Sequence, residues 1–175
     1  MDDIDRLFRE YHLPIVRYLW RRLGDRDLAE EFAQETFVRA LRHLPLANER
    51  AWLFAVATNL VRDEARRTSR QRHHLSLLRD ELTATAAEVQ EPEPTSLERM
   101  QEQAFARRAV ETLAEKDRMA LLLREEGLDY HEIASALGLS VGSVGTTLSR
   151  ARRRLVEIHE TMVRARDARG GADVA

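Results

Sequence analysis

Apolar residues recur along the chain at the spacing of amphipathic helices, and no stretch alternates apolar and polar residues as a strand does. The spacing predicts a first helix over residues 4–11 and a second one that begins near Pro14, because proline fits the first turn of a helix. Gly24 is expected to end the second helix. The pattern therefore predicts an all-α fold.

Two more helices are predicted in the first half of the chain. Asp27 and Glu30 have the spacing of a capping box, which would open a helix that runs to about His43, where Pro45 ends it. Another helix is expected from about Glu49 to the early seventies.

Residues 79–96 separate this helical part from a second one. They include the run TATAAEVQEPEPTS, which has two prolines, no aromatic residue and an acidic bias, a composition typical of a mobile linker. We expect two small helical domains, over residues 1–78 and 97–165, joined by this flexible acidic linker and followed by a disordered tail over 166–175.

The segment YHEIASALGLSVGSVGTTLSRARRRL predicts a short helix, a tight turn and a longer helix. Asp129 and Glu132 have capping-box spacing, Gly138 permits a left-handed turn, and Ser140 can cap the next helix. Apolar residues then recur on one face of that helix: Val144, Leu148, Ala151 and Leu155. This pattern is typical of a helix-turn-helix, whose second helix enters the major groove with its later basic residues near the backbone. An αα-hairpin with a solvated basic end is the alternative.

Composition limits the classes of function. The chain has 175 residues, a net charge of -2 and no cysteine, which excludes disulfides and thiolate zinc sites. The start MDDIDRLF is acidic and amphipathic, unlike a signal peptide, and no apolar run approaches the length of a membrane span. We expect a cytoplasmic protein without membrane insertion. The six histidines are scattered, and no phosphate-binding loop or nucleophile motif is visible, so we expect no metal, no cofactor, no catalytic residue and no enzymatic activity.

Two stretches carry a family resemblance. DLAEEFAQETFVRALRHL followed by ERAWLFAVATNLVRDEARR resembles the second conserved region of bacterial sigma factors of the extracytoplasmic-function type. LAEKDRMALLLREEGLDYHEIASALGLSVGSVGTTLSRARRRL resembles their fourth conserved region. The resemblance implies a subunit that binds core RNA polymerase, melts promoter DNA at the minus-ten element with its first domain and reads the minus-thirty-five element with its second.

The resemblance also implies partners: the clamp coiled coil of the largest polymerase subunit, the polymerase flap, promoter DNA and an anti-sigma factor. On a helical wheel of residues 27–44, one side is apolar, with Leu41 among its members, and the other is polar with a lone valine. The polar side suits a docking surface, and the resemblance assigns core binding to it. Its members are Glu31, Gln34, Glu35, Val38 and Arg42.

On the next helix, Asn59, Arg62 and Arg66 share a face at i, i+3 and i+7. An amide can hydrogen-bond a base edge while guanidinium groups hold phosphates, which is what single-strand capture requires. The resemblance places minus-ten readout at Asn59. Trp52 either stacks on an exposed base or anchors the start of the helix against the core.

The minus-thirty-five contacts are expected on the helix-turn-helix. The candidates are Ser140, Gly142, Ser143, Thr146, Thr147, Arg150, Arg152 and Arg153. The start of this helix departs from the family pattern, because it carries Gly142 and Gly145 where long polar residues are usual. Either the backbone approaches DNA closely there, or the hydroxyl groups read the bases.

Two other functions stay open at the level of sequence. A stand-alone helix-turn-helix regulator would leave the AQETF and WLFAVATN stretches without a role. A protein that only sequesters a partner would leave the arginine-rich recognition helix unexplained.

Overall fold

The computed structural model describes residues 2–76 and 97–170. This part of the chain contains seven helices and no strand. They are α1 (Asp2–Leu23), α2 (Arg26–Leu41), α3 (Glu49–Ser76), α4 (Leu97–Glu111), α5 (Glu115–Glu125), α6 (Tyr130–Leu137) and α7 (Val141–Gly170). The all-α prediction is confirmed, while the predicted linker at 79–96 lies outside the described residues.

Helix α1 is continuous, so the prediction of two helices divided near Pro14 was wrong. Pro14 lies inside α1, where it removes an intrahelical hydrogen bond at a cost of roughly 3 kcal/mol. The helix continues because Leu7 before the proline and Ile15 and Leu19 after it are all fully buried on one face. Each such side chain contributes about 1.5 to 3 kcal/mol on burial, which together outweighs the cost.

Gly24 and Asp25 form the joint between α1 and α2. Gly24 ends α1 in the left-handed conformation, at φ +73°, as expected. Asp25 is the N-cap of α2, since its Oδ1 accepts the N–H of Leu28 at 3.0 Å. The capping prediction from Asp27 was wrong because α2 already includes Asp27 in its first turn.

Helices α1, α2 and α3 pack around a shared apolar core. Tyr18 lies at its centre, with its ring edge-on to Phe54 at 5.5 Å and its hydroxyl 2.9 Å from Oγ1 of Thr58. Burial raises the pKa of Tyr18 to about 12. The core fixes α2 and α3 against each other and leaves an outward face on each.

Helices α6 and α7 form the predicted helix-turn-helix, with α5 packed against both. The capping box is confirmed: Asp129 accepts the N–H of Glu132 at 2.8 Å, and the Glu132 carboxylate accepts the N–H of Asp129 at 2.8 Å. Gly138 ends α6 at φ +65°, as expected. Val144 and Leu148 are fully buried and hold α7 to this unit.

Helix α7 is longer than the sequence pattern indicated. It continues to Gly170, so residues 166–170, which were expected in the disordered tail, are helical. Helix α4 packs beside α7, where the ring of Phe105 stands edge-on to that of His159 at 5.2 Å.

The N-terminal and C-terminal units also pack against each other. Helix α6 lies on α3, and α5 contacts α1. One cluster of buried apolar residues runs through both units. The sequence patterns made no prediction about this arrangement.

Candidate functional site

The outward face of α2 is open to solvent. Glu31, Gln34 and Arg42 are exposed, and Val38 is 46% exposed. Glu35 is half-buried and accepts a hydrogen bond from Nε of Arg39 at 2.8 Å within the same helix. The five predicted docking residues therefore lie on one accessible surface, where Glu35 is hydrogen-bonded to Arg39.

Leu41 also lies on this accessible surface, although the helical wheel placed it on the buried side. It is 59% exposed, whereas Phe37, one turn earlier on the same side, is only 5% exposed. Leu41 is the last residue of α2 and lies beyond the part of the helix that the core covers. Val38 and Leu41, three residues apart, form an exposed apolar pair in a polar surrounding.

The three residues of the predicted base-reading face of α3 differ in how exposed they are to solvent. Asn59 is exposed, and the side chain of Arg66 is 72% exposed, with a 3.5 Å contact to Asp63. Arg62 is half-buried, and its Nη2 donates a hydrogen bond to the backbone oxygen of Leu137 at 3.4 Å. Two of the three side chains face solvent, and the third contacts the end of α6.

Trp52 lies at the start of α3. Asn48 opens this helix, since its Oδ1 accepts the N–H of Ala51 at 3.1 Å. Trp52 is half-buried against the core, and its ring lies 5.4 Å from that of His43. In this structure the tryptophan anchors the edge of the core.

The predicted base-contacting residues of α7 do not all face outward. Gly142 and Thr146 are exposed, and Ser140 precedes the helix in an exposed position. Ser143 is half-buried, with its Oγ donating to the Ser140 oxygen at 2.8 Å. Thr147 is only 4% exposed and faces the core, so the prediction that it contacts a base was wrong. Its i+3 spacing from Val144 puts it on the apolar face.

The arginines of α7 divide into two groups. Arg152 and Arg153 are exposed. Arg150 instead forms a bidentate salt bridge with Asp117 of α5, with Nε 3.1 Å from Oδ2 and Nη2 2.5 Å from Oδ1. The Asp117 side chain is 7% exposed, and this hydrogen bond raises the pKa of Arg150. Arg150 therefore ties α7 to α5, while half of its side chain stays accessible.

The two glycines near the start of α7 are not required by packing. A Cβ added at Gly142 would meet no atom within 4 Å, and one at Gly145 would meet only the Tyr130 ring at 3.5 Å, an ordinary contact. Neither glycine has a positive φ. The described part of the protein thus gives no internal reason for glycine at either position.

Family comparisons match both halves of the chain. The Sigma-70 region 2 family matches residues 7–71, and the Sigma-70 region 4 family matches residues 106–155. RNA polymerase sigma factor YlaC of Bacillus subtilis is 33% identical over 171 residues, which cover 95% of this chain and 95% of YlaC. The ECF sigma factor SigE of Mycolicibacterium smegmatis is 32% identical over 160 residues, covering 89% of this chain and 61% of SigE. The chain belongs to the extracytoplasmic-function family of RNA polymerase sigma factors.

Two solved structures share the fold of this sigma factor. The sigma factor RpoE of Bartonella quintana, crystallised with the anti-sigma factor NepR, aligns with a TM-score of 0.69 at 22% identity over 91% of this chain and 98% of RpoE. CnrH, in complex with the cytosolic domain of CnrY, aligns with a TM-score of 0.64 at 22% identity over 90% of this chain and 88% of CnrH. At this identity the likeness concerns the fold.

Membership in the family gives the function at the level of the whole chain. The protein is a promoter-specificity subunit of RNA polymerase, and its region 4 is a DNA-binding helix-turn-helix. No comparison favours the stand-alone regulator. Among the described residues, no group of three or more His, Asp or Glu side chains is placed to hold a metal ion. None of the helices in the described ranges combines the length and the apolar character of a membrane span.

Sequence reasoning missed the contacts between regions 2 and 4 of this sigma factor. Arg17 of α1 binds Glu126, with Nε 2.9 Å from Oε1, although the two residues are 109 positions apart. Arg50 of α3 donates to the backbone oxygen of Glu126. The i, i+4 spacing of Arg17 and Arg21 was a visible signal, but nothing local indicated their partner.

Proposed function

We propose that this sigma factor docks on core RNA polymerase through α2, captures the minus-ten element with α3 and binds the minus-thirty-five element with α7. The observation that supports this best is the exposed pair Val38 and Leu41, because two large apolar side chains close together on an open helix face favour a partner that covers them. The subunit supplies binding and specificity, and the polymerisation chemistry belongs to core polymerase.

The docking surface on α2 has the composition of a protein interface. The apolar pair would form its centre, and polar side chains would form its rim. The rim residues are Glu31, Gln34, Glu35 and Arg42. We infer that the occupant is the clamp coiled coil of the largest polymerase subunit, and that the flap holds the C-terminal domain, as the family resemblance implies.

The minus-ten contacts are assigned to the outward face of α3. Asn59 offers a donor and an acceptor to a base edge, and Arg66 lies two turns further on to hold a phosphate. Arg62 would join them once it leaves the Leu137 oxygen. Trp52 is assigned to the edge of the core, and base stacking by its ring would require it to leave His43.

The minus-thirty-five contacts are assigned to the exposed start of α7. Gly142, Ser143 and Thr146 would lie against base edges, since the N-terminal end of a recognition helix enters the major groove. Ser140, just before the helix, and Arg152 and Arg153, further along it, would contact phosphates. Arg150 would position α7 through Asp117 and offer its exposed side to the same backbone.

A protein inhibitor is proposed as a further partner. RpoE was crystallised with an anti-sigma factor, and this chain shares its fold. An anti-sigma factor that covered α2 or held the two regions together would keep the protein inactive. We expect the protein to act in the cytoplasm, where polymerase and promoters are found.

Transcription from a random promoter library tests the proposal. Purified core polymerase with this protein should produce transcripts that begin downstream of a two-part sequence motif, and core polymerase alone should not. A chain that bound duplex DNA sequence-specifically without core polymerase, and gave no new transcripts with it, would instead be a stand-alone regulator.

A further inference from the structure

Four arginines of the N-terminal unit contact the C-terminal unit along one surface, which we call the arginine face. The arginine face consists of Arg17, Arg21, Arg22 and Arg50. Its partners lie at the two ends of α5, which we call the acidic edge. The acidic edge consists of Glu115, Glu125 and Glu126.

The tightest part of this contact surrounds Glu126. Its side chain is only 1% exposed, and Arg17 binds both of its carboxylate oxygens, with Nε 2.9 Å from Oε1 and 3.2 Å from Oε2. Arg21 lies 3.4 Å from Glu125 and 3.7 Å from Glu126. A carboxylate is seldom buried unless cations replace its water, so the burial of Glu126 depends on these two guanidinium groups.

Arg50 completes the contact with the backbone. It donates to the Glu126 oxygen, and a Cβ added at Gly127 would lie 2.9 Å from Nη2 of Arg50. Gly127 also has φ +81°, where other residues are strained. The turn after α5 therefore has the one residue type that lets the Arg50 guanidinium approach this closely.

The acidic edge does not fully satisfy the arginine face. Nη2 of Arg22 lies 3.4 Å from Glu115, but its buried Nε has no hydrogen-bond partner within the described part of the chain. Arg118 is close by, and its pKa is lowered by burial and then by the charge of Arg22. Cations outnumber carboxylates here, so a ligand with more negative charge than the acidic edge would fit the surface better.

The arginine face continues into the predicted minus-ten surface. Arg50 and Arg62 are both on α3, twelve residues apart, which corresponds to about 18 Å along the helix. In this structure α6 covers the stretch of α3 between them. Arg50 contacts the turn that precedes α6, and Arg62 contacts Leu137, the last residue of α6. A length of 18 Å corresponds to about five nucleotides of one strand.

We propose that the arginine face binds the phosphate backbone of promoter DNA, and that the acidic edge of the protein's own C-terminal unit occupies this surface while the two units are packed together. The carboxylates and carbonyl of the acidic edge stand where phosphate oxygens would lie. The proposal rests on the proposed function, since it assumes that the chain contacts promoter DNA within a polymerase holoenzyme.

The same two contacts can be removed by replacing either the arginines or the glutamates. Comparing the two variants shows whether the arginines bind DNA or serve only the contact between the two units. The first double variant is Arg17→Gln with Arg21→Gln, and the matched one is Glu125→Gln with Glu126→Gln. Both should loosen the packed arrangement and increase the radius of gyration of the isolated protein in X-ray scattering. In the holoenzyme, only the arginine variant should lose affinity for promoter DNA, by about tenfold at low salt, with a salt slope smaller by about two.

The outcomes are distinguishable. Two variants that bind promoter DNA alike, whether weakly or as the wild type does, would overturn the proposal, because the arginines would then serve only the internal contact. Failure of the wild-type holoenzyme to select any promoter would contradict the proposed function and this inference together. Thermal melting checks folding, and the single variants Arg21→Gln and Glu125→Gln repeat the comparison if a double variant does not fold.

Discussion

The outward faces of α2 and α3 belong to the same small unit but differ in what covers them. On α2, Val38 and Leu41 face solvent, and none of the seven described helices packs over them. On α3, the helix-turn-helix lies against the stretch between Arg50 and Arg62, and Arg62 is bound to its backbone. The packed arrangement therefore leaves the proposed docking face accessible and covers part of the proposed minus-ten face. If these assignments hold, we expect polymerase binding to begin in this state and promoter melting to require the two units to separate.

The two faces also differ in what must be broken before they can be used. On α2 the internal contact is the Glu35–Arg39 pair, a half-exposed pair worth only a few tenths of a kcal/mol. On the α3 side, Leu128 and Ile133 are fully buried in the cluster that joins the units, and the arginines bind Glu126 just before them in the chain. A partner that opens this side has to replace both kinds of contact.

The largest effect is expected from a charged substitution in the proposed docking face of α2. Val38→Asp should weaken core polymerase binding about 100-fold, since loss of a central apolar contact costs about 3 kcal/mol. The melting temperature should not change because Val38 is exposed. Leu13→Asp is the matched control, as Leu13 is 72% exposed on α1 and outside the docking face. Equal loss of polymerase affinity in both variants, measured by fluorescence anisotropy, would contradict the assignment.

Asn59→Ala should produce the next largest effect, on the other face. We expect core affinity and thermal stability to stay as in the wild type. The free energy of open-complex formation should become less favourable by about 1 to 3 kcal/mol, and the preference at one base should relax. Selection from a promoter library, together with permanganate footprinting, measures both. Ser69→Ala, at another exposed position on α3, is the control. Unaltered base preference together with a lower melting temperature would mean that Asn59 has a structural role.

The two arginines beside Asn59 sharpen the comparison within one helix. Arg62→Ala and Arg66→Ala should each weaken promoter binding by the holoenzyme about fivefold and reduce the salt slope by about one. In the isolated protein, only Arg62→Ala should speed amide hydrogen exchange at the end of α6, because only Arg62 contacts Leu137. Equal exchange in both variants would show that Arg62 does not hold α6 in solution.

The smallest effect concerns the exposed start of α7. Gly142→Ala should raise the free energy of unfolding by about 0.5 to 1 kcal/mol, because alanine favours a helix and the added methyl group meets no protein atom. The same variant should lower affinity for the minus-thirty-five element if the backbone approaches DNA there. Calorimetry and promoter binding measure the two effects. Greater stability with undiminished affinity would favour readout by the Ser143 and Thr146 hydroxyls.

Local signals predicted the turns well where one residue decides the conformation. Gly24 and Gly138 lie where the sequence placed them, and the Asp129 capping box forms as predicted. The helix boundary predicted at Pro14 was wrong because tertiary burial on both sides of the proline outweighs its local preference. Asp25 was missed because Asp27 offers a similar capping signal two residues later.

The candidate sites were predicted less completely than the turns. Helical periodicity found the exposed faces of α2 and α3 but placed Leu41 on the wrong side, since a wheel ignores where the helix ends. Thr147 was assigned to DNA on its hydroxyl alone, although its spacing from Val144 places it in the core. The Arg150–Asp117 and Arg17–Glu126 contacts join residues 33 and 109 positions apart, which no local pattern can reveal.

A cross-link between the two units tests the central claim most directly. Because the chain has no cysteine, Arg17→Cys with Glu126→Cys provides a single reactive pair, which a short bismaleimide can join where the two side chains now meet. The control is the same variant capped with a monofunctional maleimide. The account predicts that the cross-linked protein still binds core polymerase through α2 but does not open promoter DNA, while the capped protein does both, with promoter affinity below that of the wild type because Arg17 is absent. Open complexes formed equally by the cross-linked and capped proteins would contradict it.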